Sequence, residues 1–131
     1  MIATATKVAA YRHIATQTAS PGQLVLMLFN GAINFLERAR GGFATDDPLE
    51  FNQTIHLNVT RAQAILHELN SSLNMTQGGE LSVTLRRLYE YFDARLDESN
   101  RRKQPHGIEE VLHRLTVLRD AWAEMLQQPA R

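Results

Sequence analysis

Apolar side chains recur at three- and four-residue steps along four long stretches of the chain, the spacing of a helix with one oily face. The first stretch opens at Ser20-Pro21-Gly22-Gln23, where a serine can cap free amides, proline is preset for the first helical position and glutamine follows three residues after the cap. This predicts a helix to about Arg40, stopped by Gly41 and Gly42. Asp46-Asp47-Pro48 repeats the start signal and opens a second helix, with Phe51, Ile55, Val59, Ala62, Leu66, Leu69 and Leu73 on one stripe. After a connector from Asn74 to Gly79, a third helix begins near Glu80 and sets Leu81, Leu85, Leu88, Tyr89, Phe92 and Leu96 on its core side, with Arg86 on the solvated one. Lys103 to Gly107 breaks it. The last helix carries Ile108, Val111, Leu112, Leu115, Leu118, Trp122 and Met125, and ends before Pro129. Short connections force neighbouring helices to run antiparallel, so the expected fold is all-α, an up-down-up-down four-helix bundle over residues 20–128.

Two features do not fit a plain bundle. Residues 1–19 hold Val8, Tyr11, Ile14 and Ala15 at helical spacing but are too short to persist as a lone helix, which predicts a mobile, loosely held N-terminal segment. The first long helix is oilier than a bundle requires. Its polar positions Gln23, Asn30, Asn34 and Glu37 crowd into a narrow seam; Leu24, Leu28, Phe35 and Ala39 suffice for the core, leaving Leu26, Phe29 and Ile33 as a second apolar stripe. Two accounts stay open: the helix lies deep with neighbours on two sides, or the second stripe receives a partner helix, with Tyr11 and Ile14 shielding it when the partner is absent. On the second account Phe29→Asp weakens partner binding and leaves the bundle folded.

Composition supports the helical reading and trims the chemistry. Leucine (17) and alanine (15) far outnumber valine (6) and isoleucine (6), a balance that favours helix over strand. Fourteen basic and fourteen acidic side chains cancel, so no bulk field draws the molecule onto nucleic acid, and the longest apolar run, Leu24 to Phe29, falls far short of the roughly twenty residues that span a bilayer. Without cysteine there are no disulfides, thiolate nucleophiles or ordinary structural zinc sites, and the N-terminus lacks a signal-peptide pattern. A cytoplasmic protein with no cofactor, no metal and no enzymatic activity is expected. The rival reading is a phosphotransfer or metal-binding bundle. Its candidates are Glu110-Val111-Leu112-His113, a single Glu-x-x-His whose ends should point to water, and the surface histidines His56 and His67.

Three separated motifs resemble the flagellin export chaperones, the FliS family. They are Tyr11 followed by Thr18-Ala19-Ser20-Pro21-Gly22-Gln23-Leu24 and Met27-Leu28-Phe29-Asn30-Gly31-Ala32; Ala62-Gln63-Ala64-Ile65-Leu66-His67-Glu68-Leu69 with Leu73-Asn74; and Arg119-Asp120-Ala121-Trp122. The resemblance implies a non-enzymatic cytoplasmic chaperone that binds the disordered C-terminal segment of flagellin, prevents its premature polymerisation and passes it to the flagellar export apparatus. With positions carried over from the family, the second stripe and the N-terminal shield taken together, the flagellin-binding residues are Tyr11, Ile14, Leu26, Met27, Phe29, Asn30 and Ile33. Phe29 stands where tyrosine is frequent in the family and Asn30 where aspartate is frequent; Trp122 lies on the core stripe.

Overall fold

The computed structural model describes residues 20–128. The segment 1–19, with Tyr11 and Ile14, lies outside them. Four helices make up the described chain: α1 (Pro21–Gly42), α2 (Pro48–Ser71), α3 (Gly79–Arg102) and α4 (His106–Gln127). The predicted start signals hold in atomic detail. Ser20 Oγ accepts from the Gln23 amide at 3.2 Å and Asp47 Oδ1 from the Leu49 amide at 3.0 Å, with proline at the first position of both helices.

The helices close a ring in which α1 packs on α2 and α4, and α3 packs on the same two. Each helix therefore has two neighbours, and the core fills the space between all four. Leu28, Leu36, Ile55, Val59, Leu66, Phe92, Leu96, Ile108 and Leu115 are buried there. Up-down order fixes two ends. The starts of α1 and α3 share one with the last turns of α2 and α4, and the α1–α2 and α3–α4 connections share the other.

Three expectations are corrected by packing. Gly41 and Gly42 continue α1 instead of stopping it, and a Cβ on Gly42 would come within 3.0 Å of Thr54 and 3.1 Å of Ile55, so this glycine lets α1 approach α2. Phe35, assigned to the core, packs against it from the edge, half-buried, with the guanidiniums of Arg38 and Arg61 at 5.7 and 5.8 Å from its ring centre. Arg86, assigned to a solvated face, lies across to α2, where its Nε donates to Asn70 Oδ1 at 3.0 Å. Leu81 and Met125, assigned to core stripes, are 63% and 47% exposed. Both sit at the same end of the bundle, where α3 begins and α4 finishes.

The opposite end is closed. Lys103 ends α3 in the left-handed conformation (φ 51°), and its Nζ donates to Asn100 O and Oδ1 at 2.8 and 2.5 Å. Ser99 Oγ donates to Gln104 O, closing the turn. At Gly107 the first turn of α4 lies against α3 so closely that a Cβ would stand 2.7 Å from Arg95 O and 3.0 Å from Ser99 Cβ. Gly107→Ala is accordingly expected to cost about 1–3 kcal/mol, the overpacking loss exceeding the helix-propensity gain of alanine. Urea denaturation of the variant checks this; equal or greater stability would show that α3 and α4 separate freely at this point.

Candidate functional site

The open end of the bundle holds an apolar groove of about 390 Å³ to which every helix contributes. Val25 and Phe29 come from α1, Leu69 from α2, Leu81, Leu85 and Tyr89 from α3, and Leu118, Trp122 and Met125 from α4, with Leu73 in the α2–α3 connection. Among the described residues, the polar side chains on its wall are Ser72, Asn74 and Ser82, of which Ser82 Oγ is satisfied by donating to Asn74 O at 3.0 Å, and the buried Tyr89, whose phenol is pushed up to about 12 by desolvation. Leu81 and Met125 form an exposed rim. A concave, oily surface with an exposed apolar lip is suited to receiving an apolar face of another chain.

The sequence-derived residues fall around this groove in different ways. Phe29 is a wall residue but 2% exposed, and Ile33 is 3% exposed within the core, so the stripe expected to face away from the bundle is part of its interior. The reason is the ring: a helix with neighbours on both flanks buries a wide arc, which is the first of the two accounts of its excess oil. Leu26, the third member of the stripe, and Met27 beside it are half-buried on α1. Asn30 is half-buried and accepts from Arg119 Nη1 of α4 at 2.8 Å, while Arg119 Nε donates to Asp120 at 2.7 Å. One turn further, the Trp122 indole N–H donates to Gly22 O at 2.8 Å and its ring meets Phe29 edge to face at 6.5 Å. The first and last resemblance motifs thus meet at one seam, α1 against α4, and that seam forms one side of the groove. Local spacing missed the wall residues Leu81, Leu85 and Met125 as surface features, because periodicity names the direction a side chain points and not what stands opposite it.

The residues of the rival reading do not converge. Glu110, expected to point to water, reaches across to α3: Tyr91 Oη donates to it at 2.6 Å and Arg95 Nε at 2.8 Å, and Arg114 lies at 3.2 Å. His113 is exposed, His56 Nδ1 pairs with the buried Asn100 at 3.0 Å, and His67 Nε2 with Asp93 at 3.1 Å. Among the described residues no group of three or more histidine and carboxylate side chains could hold a metal ion, and no helix is long and apolar enough to cross a membrane.

Two outcomes follow from these placements. Phe29→Asp would bury a carboxylate beside Trp122 and is expected to destabilise the bundle by about 3 kcal/mol or more, contrary to its role on an exposed stripe; circular dichroism melting checks it, and a fully stable variant would mean that the site relaxes open. The Tyr91 hydrogen bond, and then Arg95, hold Glu110 below its ordinary value of 4.5. Its contribution to stability is therefore present above the unfolded pKa and lost as pH falls through the lower folded one. Glu110→Gln should reduce the loss of urea resistance between neutral pH and about pH 3; an unchanged pH profile would show that the clamp does not act on stability.

Known relatives match this sequence along most of its length. The family described as flagellar protein FliS matches residues 4–129. The flagellar secretion chaperone FliS of Bacillus subtilis is 36% identical over 118 residues, covering 90% of this chain and 84% of the relative. Its counterpart in Salmonella typhimurium is 32% identical over 126 residues, 93% and 91% of the two chains, and that of Escherichia coli is 34% identical over 117 residues, 88% and 83%. With its bundle, its capped first helix and the Asn30–Arg119 and Gly22–Trp122 contacts at the motif positions, the chain belongs to the FliS family of flagellar secretion chaperones.

Proposed function

We propose that this protein is a cytoplasmic export chaperone that holds the C-terminal segment of flagellin, keeps it from polymerising early and delivers it to the flagellar export apparatus. The observation that carries this reading is the groove at the open end, whose apolar wall is drawn from all four helices and whose lip, Leu81 and Met125, is exposed. A segment that is unstructured when free gains helix as its apolar side chains enter such a groove, and the ordering cost of about 2–5 kcal/mol or more keeps the complex releasable. Family membership supports the chaperone role and the link to flagellar secretion.

Within this reading the seven sequence-derived residues take different parts. Phe29 is a wall against which cargo packs, and Leu26 and Met27 extend the apolar surface along α1. Asn30, through Arg119, and Ile33, from the core, keep that wall in place. Tyr11 and Ile14 compete with cargo for the groove.

Titration of the purified protein with the flagellin C-terminal segment is expected to give a complex at micromolar concentration or tighter, with helix gained in circular dichroism. Met125→Asp, on the exposed lip, should weaken it about tenfold while the free protein melts as before. Absence of a complex overturns the proposal, and full affinity of the lip variant would place the cargo elsewhere.

A further inference from the structure

The start signal of α1 holds a residue that capping does not use. Ser20 supplies the cap, Pro21 the preset first position and Gln23 the capped amide, but Gly22 lies between them without a positive φ, in a backbone shape that any residue adopts. Glycine at such a position weakens a helix that alanine would strengthen. What Gly22 supplies is the absence of a side chain: a Cβ on it would stand 2.6 Å from Leu126 Cδ2 of α4. Gly41, on the same helix, has nothing within 4 Å of the equivalent point.

α4 touches Gly22 twice. Leu126 fills the space where its Cβ would be, and its carbonyl oxygen accepts the Trp122 indole N–H at 2.8 Å. Arg119, Trp122 and Leu126, at i, i+3 and i+7, form the face that α4 turns to α1, and Arg119 bonds to Asn30 further along α1. Past Leu118 the groove opens, with Ala121, Trp122 and Met125 of α4 on a wall shared with Leu81 and Leu85 of α3. The last turns of α4 therefore take their position from α1, and Trp122 and Leu126 both rest on Gly22.

We infer that Gly22 is a positioning residue for the groove: its missing side chain sets how closely the last turns of α4 stand on α1, and so fixes the Trp122 and Met125 wall. Gly22 does not line the groove and acts through Leu126 and Trp122. The inference rests on the proposed function for what the groove holds, and adds the residue that sets its shape. Gly22 also differs in kind from Gly107. There the atoms in the way are a carbonyl oxygen and a Cβ; at Gly22 the obstructing atom is the tip of a flexible side chain, so a methyl group displaces it without unfolding the bundle.

Gly22→Ala in the full chain is expected to melt at or near the parent temperature, gaining helix propensity as it displaces Leu126. Two readouts should move nonetheless. The Trp122 indole N–H should exchange with solvent about tenfold faster in nuclear magnetic resonance spectra, as its bond to Gly22 O lengthens. Affinity for the flagellin C-terminal segment should fall about fivefold. Both changes should vanish when the alanine is placed in a Leu126→Ala background, where the δ carbons that it would strike are gone. A variant that melts well below the parent overturns the inference, since Gly22 would then serve the fold. Parent-like indole exchange, or effects of equal size in the Leu126→Ala background, overturn it as well. Faster exchange with full cargo affinity overturns the role of Gly22 in binding while the chaperone reading stands. Failure of the parent protein to bind the segment overturns the chaperone reading, and the exchange comparison, which needs no cargo, still decides whether Gly22 positions the wall.

Discussion

The groove depends on how α3 is held against α4. At one end the helices are pinned: Gly107 admits the backbone of α4 against Arg95 O, and Glu110 gathers Tyr91, Arg95 and Arg114 around a single carboxylate. At the other end, among the described residues, no comparable contact joins them, and their apolar side chains line a groove. A bundle pinned at both ends would bury Leu81 and Met125 and leave nothing to bind with. The arrangement concentrates stability in one half and unsatisfied apolar surface in the other, consistent with the low-stability parts of a fold being those that meet partners.

The α1–α4 seam solves a different problem, namely how to keep an oily wall upright without sealing it. Phe29 and Trp122 supply apolar area, and the polar contacts that orient them lie alongside, Arg119 to Asn30 and the indole to Gly22 O. Hydrogen bonds of this kind contribute modestly to net stability but fix geometry, because a buried partner left unmade costs more than the bond gains. The two departures from the family pattern are compatible with this role. Asn30 keeps an acceptor for Arg119, and Phe29 meets Trp122 through its ring alone.

Much of the fold was legible in the chain. Ser20-Pro21 and Asp47-Pro48 are caps whose chemistry is local, and the stripes of α2 and α4 name most of their buried residues because a four-residue repeat needs no knowledge of the neighbour. The groove was legible only in part. The sequence analysis located excess apolar surface on α1, yet the ring gives α1 two flanks and absorbs Phe29 and Ile33 into the interior, while the exposed surplus appears on α3 and α4, whose stripes looked ordinary. Leu81 and Met125 lie on stripes that read as core, yet they are exposed, because which stripe positions are covered is set by the neighbouring helices and not by spacing along the chain. The Asn30–Arg119 bond joins residues 89 positions apart, and the Glu110 clamp depends on side chains long enough to bridge two helices; neither leaves a local spacing to read.

Trp122 is the single tryptophan of the chain, and it stands half-buried in the groove wall. Its indole is hydrogen-bonded on one edge and open on the other to whatever fills the space, water or an apolar side chain. The protein therefore carries its own optical gauge of occupancy: intrinsic emission shifts toward the blue as water leaves that face, with no dye attached.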